Sequence, residues 1–307
     1  MSLKAVDRPR LPVIMLGEHA LALIRDIFDR QDLFRDLPRI ERRVVAWGVG
    51  STPRTLEHSA VAVSEEQLLN GLRPFEIDQA ADIDAAADFT IFASRPLPPA
   101  AVEHRFGSRM ATAVPVQLSR GDSSTCCIES LEHGWLFLIP NAPASGWVLA
   151  VGDAFESLLA SSRVIAQEIS EASSPGGEFP CFPRIAAPLC GPNWLGCGTA
   201  AMAFDPICGD GTAHAVREAI LASAVVRGIA KDSGAHDLFA HYEARLTAGF
   251  ARHLQNCRTF YASGGNASWW TAELQAIEEG IEWCRAKLRA HTNFRYQLRG
   301  FELEPVR

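Results

Sequence analysis

Between Trp194 and Lys231 the chain reads WLGCGTAAMAFDPICGDGTAHAVREAILASAVVRGIAK, and no other stretch limits the fold so tightly. Gly196 and Gly198 follow a small apolar run. Asp205-Pro206 and Gly209-Asp210-Gly211 then form a turn almost free of side chains, which leaves backbone amides open. Thr212 is the expected N-cap of a helix in which Ala213, Val216, Ile220, Ala224 and Ile229 recur at helical spacing. The N-terminus of that helix faces the glycine turn, where its dipole and free N–H groups favour an anion or an electron-rich ring edge. Two readings stay open for the stretch by itself: a ligand loop, or an ordinary loop-to-helix turn in an α/β core.

The rest of the chain is compatible with either. Its 307 residues, 48% hydrophobic and 21% charged, are enough for one large core or two domains. A net charge of -7 gives no basic footprint, which argues against nucleic acid as a partner. No apolar run is long enough to span a bilayer and no signal peptide is evident, so the expectation is a cytoplasmic protein without a membrane partner. The eight cysteines contain no Cys-x-x-Cys pair, and Cys126 and Cys127 are adjacent. Reduced, mostly buried thiols are expected, with no metal, although Cys190, Cys197 and Cys208 lie near the glycine turn.

Periodicity places the remaining elements. Leu21, Ile24 and Phe28, with Phe34 beyond a break, suit an amphipathic helix after Leu16-Gly17-Glu18. Val44 to Trp47 and Ser59 to Val63 read as strands, Gly48-Val49-Gly50 as a turn, and Ser64-Glu65-Glu66-Gln67 as a capping box opening QLLNGL. ADFTIFAS is a further short strand. From Met110 the segments ATAVPVQL, STCCIESL, GWLFLIP and SGWVLAVG predict an antiparallel sheet. Ser157 to Glu171 reads as helix, and SSPGGEFP as a loop. Two long helices follow, one with Leu238, Tyr242, Leu246, Phe250 and Leu254, the other with Leu274, Ile277, Ile281, Cys284 and Leu288. The Phe260-Tyr261 and Trp269-Trp270 pairs between them read best as a packing hinge. None of the nine histidines is assigned as an acid or base. His214, two residues into the glycine-turn helix, is held to be a surface residue ahead of a neutral hydrogen-bonding one.

Gly198-Thr199-Ala200, then Asp205-Pro206, then Gly209-Asp210-Gly211 opening a long Ala-rich helix, resembles the second flavin-contact motif of FAD-dependent monooxygenases and halogenases of the hydroxybenzoate-hydroxylase type. Gly134-Trp135-Leu136-Phe137-Leu138-Ile139-Pro140 resembles the Gly-Trp-x-Trp-x-Ile-Pro signature of the halogenases, with Phe137 for the second Trp. Gly17-Glu18, Trp47-Gly48 and the C-terminal aromatics occur in the same order as in that family.

The resemblance implies an α/β (α+β) fold: an incomplete FAD-binding Rossmann-like domain over 1–95 and 185–235, an antiparallel substrate sheet over 96–184, and a C-terminal helical region over 236–307. It implies FAD contacts at Gly17, Glu18, Gly198, Thr199, Asp205, Pro206, Gly209, Asp210, Gly211 and Thr212, and a pocket for a small organic substrate lined by Trp135, Phe137 and Pro206. Three departures all weaken dinucleotide binding: no G-x-G-x-x-G turn fits, Thr199 replaces the family's Asp, and the segment up to Arg95 is short. The expected function is therefore a monooxygenase-like oxidoreductase with FAD weakly held or lost. The alternative is a non-catalytic binding or assembly module with a protein partner. Family halogenases also place a lysine in the segment matching PRIERRVVAW, where this chain has Arg39, Arg42 and Arg43 and no lysine.

Overall fold

The computed structural model describes residues 11–72, 89–98, 100–231, 234–289 and 296–306. Lys4 lies outside them. The described chain starts with β1 (Ile14–Gly17), whose end is the N-cap of α1 (Glu18–Ile27), and continues through β2 (Arg39–Ala46) and β3 (Arg54–Val63). Gly48 and Gly50, both at positive φ, turn the chain between those two strands. The capping box forms as expected: the Ser64 amide donates to Gln67 Oε1 at 2.8 Å and the Gln67 amide to Ser64 Oγ at 3.0 Å, opening α2 (Glu65–Leu72).

Beyond it come β4 (Thr90–Phe92), β5 (Val102–Arg105), then β6 (Met110–Leu118), β7 (Thr125–Leu131), β8 (Gly134–Ala142) and β9 (Ser145–Gly152). These last four are the expected antiparallel strands. α3 (Phe155–Ser161) and α4 (Ile165–Glu168) replace the single expected helix, followed by β10 (Ile169–Ala172). The break has a cause elsewhere in the chain. The buried carboxylate of Glu129 on β7 accepts from the amides of Arg163, Val164 and Ile165 at 2.8, 3.1 and 3.1 Å and from Ser162 Oγ at 2.5 Å, so a new helix start is anchored there.

The main sheet has nine strands in the order β1-β3-β2-β7-β8-β9-β6-β10, with β11 (Glu178–Pro180) also on β6. All of its pairings are antiparallel except β2 with β7, where Arg43 faces Cys126 and Val44 faces Cys127. The sheet therefore joins strands from both sides of residue 95. Gly134 to Pro140 are buried without a break, so both faces are covered. Trp135, Phe137 and Ile139 enter one core, and Leu136 and Leu138 the other, which α3 and α4 close with Phe155, Leu158 and Ile165. Cys126 and Cys127 fall on opposite faces by the same period.

The first core lies under three helices, α6 (Gly211–Ala230), α7 (Ala235–Gly264) and α8 (Ser268–Arg289). Trp270 packs over the backbone of Gly264 and Gly265 between the last two, where a Cβ would come within 2.3 Å of the ring. Trp47, Tyr261 and Trp269 surround it at ring distances of 5.6, 5.5 and 4.8 Å, which makes the aromatic cluster the packed hinge between α7 and α8.

Smaller sheets carry the chain to the glycine turn. β12 (Arg184–Ala187) pairs with β5 and with β15 (Met202–Ala203), while β13 (Cys190–Gly191) pairs with β14 (Trp194–Gly196). β14 and β4 run parallel, with Leu195 beside Ile91. A hairpin of β16 (Tyr296–Arg299) and β17 (Glu302–Pro305) rests on α6, where Lys231 donates to Glu302 at 2.7 Å. Among the described residues no helix is long and apolar enough to cross a membrane.

Candidate functional site

The parallel pair β4 and β14 ends in the short helix α5 (Gly198–Ala201). Gly198 has φ 52°, and a Cβ there would meet the Ala93 carbonyl at 2.8 Å, so glycine is needed at this approach. Its amide donates to Glu218 Oε2 at 2.8 Å. Burial pushes the Glu218 carboxyl up to about 8, against the opposing pull of that bond. The Thr199 carbonyl accepts from Arg184 at 3.0 Å, and Arg184 also pairs with Glu103 at 2.9 Å. Arg95 is tied to the same Glu103.

Asp205 then caps a single 3-10 turn, Pro206–Cys208, by accepting from the Ile207 amide at 2.9 Å. Gly209 leaves the turn in the left-handed conformation, φ 67°. α6 begins at Gly211 with Asp210 in the capping position but making no side-chain cap bond, two residues ahead of the expected Thr212 cap. A Cβ at Gly209 or Gly211 would meet nothing within 4 Å. The start of a 20-residue helix therefore opens, uncapped, onto clear space, the arrangement in which amides and dipole act on an outside group. Asp210 is instead bonded to His214 at 2.9 Å; burial raises its pKa, and the bond and charge of His214 outweigh that and hold it low. His214 is stacked on Phe204 at 4.5 Å with its side chain 20% exposed, so it is packed rather than a free surface residue.

The Asp205 side chain points away from this opening, into the core. Its Oδ2 receives the Tyr261 hydroxyl at 2.8 Å and lies 2.9 Å from Arg109 Nε. Tyr261 accepts from the Trp135 indole at 3.2 Å, and Arg109 lies over the Tyr261 ring at 4.6 Å. On its far side Arg109 is ion-paired to Glu273, which also takes the Ser108 hydroxyl at 2.8 Å. Burial works to lower the Arg109 pKa, but Tyr261, Asp205 and Glu273 outweigh it, so the cation is retained. Two carboxylates share this one guanidinium, and burial accordingly raises Asp205 against the pull of Arg109.

Of the residues singled out from sequence, Asp205, Pro206, Gly209, Asp210, Gly211 and Thr212 form one continuous edge, and Trp135 joins it through Tyr261. Trp135 is fully buried and Phe137 nearly so, the latter under the Arg43 guanidinium at 5.6 Å. Gly17 and Glu18 lie at the end of β1, where Glu18 accepts from Ser59 at 3.0 Å and pairs with Arg39. Sequence reasoning missed Arg109, Glu218, His253, Tyr261 and Glu273 as partners of the turn. For two of them a signal was present: Glu218 shares the apolar stripe of Leu221, Ala222 and Val225, and His253 that of Leu246, Phe250 and Cys257, all buried.

No protein-family model matches the chain, and no curated protein does. Solved structures do. The peptidyl tryptophan dihydroxylase QhpG, essential for tryptophylquinone cofactor biogenesis, superposes with TM-score 0.72 at 16% identity, covering 97% of this chain and 79% of its own. The myxobacterial chondrochloren halogenase CndH, described as a new variant of FAD-dependent halogenases, gives 0.71 at 14%, over 93% and 83%. Klebsiella pneumoniae HpxO, solved with FAD and uric acid, gives 0.60 at 14%, over 94% and 88%. By these superpositions the fold of this chain is that of the FAD-dependent monooxygenases and halogenases.

Proposed function

We propose that this chain is a flavin-dependent oxidoreductase-type protein, related to the monooxygenases and halogenases, that holds the ring end of a flavin and acts on a small organic molecule. The uncapped N-terminus of α6, open above Gly209 and Gly211, carries this reading. The free amides at the start of α6 would hold the pyrimidine edge, with Pro206 to Gly209 lining it, and a flavin bound there supplies the redox chemistry. Trp135, itself buried, backs the turn through Tyr261 and Asp205, and the substrate is assigned to the Pro206 side of the opening.

The residues fit a flavin ring better than a whole dinucleotide. The Gly198 amide, which the resemblance assigns to the cofactor, is bonded to Glu218 of the chain itself. Thr199 offers a hydroxyl where a carboxylate would bind more strongly. FAD is therefore expected to bind weakly. The same observation favours the second reading, a scaffold that has given up cofactor binding for a binding or assembly role.

Quenching of flavin fluorescence distinguishes the two. The protein is titrated against riboflavin, FMN and FAD, beside Gly211→Leu and Glu218→Leu. Ring binding predicts similar affinities for the three flavins, loss of all three in Gly211→Leu with the fold intact, and a gain specific to FAD in Glu218→Leu, which removes the acceptor of the Gly198 amide. No quenching by any flavin at millimolar concentration would leave only the scaffold.

A further inference from the structure

Cys208 and the pair His253 and Cys257 come from separate elements, the 3-10 turn and one face of α7. His253 and Cys257 stand one helical turn apart, so their side chains project together. Cys208 Sγ lies 3.7 Å from Cys257 Sγ, and Cys257 Sγ lies 3.3 Å from His253 Nε2. The donor atoms of all three lie within 4.8 Å of one another. A tetrahedral zinc ion with bonds of about 2.3 Å to sulfur and about 2.0 Å to nitrogen holds two sulfurs about 3.8 Å apart and a sulfur and a nitrogen about 3.5 Å apart. Two of the three pairs already have those spacings, and the third, Cys208 to His253, lies within 4.8 Å and closes on loading.

The imidazole also presents the right nitrogen. The Asp205 amide, which can only donate, lies 2.8 Å from His253 Nε2, so that nitrogen carries a lone pair and the proton sits on Nδ1. Nδ1 is buried without a hydrogen-bond partner, so no second bond locks the ring in place. Cys208 is partly exposed, while the other seven thiols are buried.

We propose that Cys208, His253 and Cys257 bind one soft or borderline cation, zinc(II) first, with solvent as fourth ligand. Loading replaces the two thiol protons by the metal and releases both to solvent, M²⁺ + 2 RSH → M(SR)₂ + 2 H⁺, with no change of oxidation state. Nε2 turns from the Asp205 amide to the ion. The ion ties the residue just before Gly209 to α7 and so stiffens the glycine turn whether or not a flavin uses it.

The test is titration of the metal-free 307-residue chain with cobalt(II), followed by displacement with zinc(II). The expected result is thiolate-to-cobalt charge-transfer absorption that saturates at one equivalent and is bleached by zinc. Cys208→Ser, at the half-exposed ligand where the fold is least at risk, abolishes the band, and Cys284→Ser, a buried thiol on α8, keeps it. Absence of the band in the unmodified chain, or its persistence in Cys208→Ser, overturns the proposal.

Discussion

Arg109 and Asp205, far apart in the chain, meet with Nε 2.9 Å from Oδ2 and with both side chains wholly buried. The contact joins the start of β6 in the main sheet to the turn ahead of α6. Arg109 is also the counter-charge of Glu273 on α8, so one guanidinium links three parts of the fold.

The two partners should therefore be unequal. Arg109→Met leaves two buried carboxyls without a cation and is expected to cost about 3–5 kcal/mol or more. Asp205→Asn leaves Arg109 paired with Glu273 and keeps an oxygen for Tyr261, so about 1–3 kcal/mol is expected. Urea unfolding of both variants checks the order; an Arg109→Met protein as stable as Asp205→Asn would contradict it.

Glu218 makes stability depend on pH in a defined direction. Its folded pKa, about 8, lies above the ordinary 4.5, so the folded chain keeps a proton that the unfolded chain releases between those values. Its contribution is full below about 4.5, falls by up to about 1.4 kcal/mol per pH unit through the window, and is level above about 8. Gln cannot ionise. The stability of Glu218→Gln relative to the unmodified chain should therefore rise between about pH 5 and 8 by this linkage, measured by thermal or urea unfolding. Parallel profiles would show that Glu218 is not the buried acid described here.

Halogenation by a lysine-dependent route is not expected, even with flavin supplied. The arginines of the relevant segment are held elsewhere: Arg39 by Glu18, Arg42 by Asp122 at 3.2 Å, and Arg43 beside His58 at 3.1 Å. No lysine occurs between Lys4 and Lys231, and a guanidinium does not deprotonate to serve as an amine does. An indole and phenol panel incubated with protein, FAD, a flavin reductase system and bromide should yield no brominated product by mass spectrometry. Product above a no-protein control would refute this.

What the sequence by itself determined was local. The Ser64–Gln67 capping box needs only its own four residues, and the alternation of β6 to β9 and the stripes of α6, α7 and α8 follow from side-chain period. The open glycine turn was legible for the same reason, since Gly209 and Gly211 constrain the backbone around themselves. Strand order and burial partners were decided only in three dimensions. That β2 lies parallel to β7, that Glu129 anchors the start of α4 at Ile165, that Glu218 reaches the Gly198 amide and that Cys208 meets Cys257 are contacts between distant segments. Helical or strand period marks which face a side chain takes but not what it meets, because the partner is set by how whole faces pack.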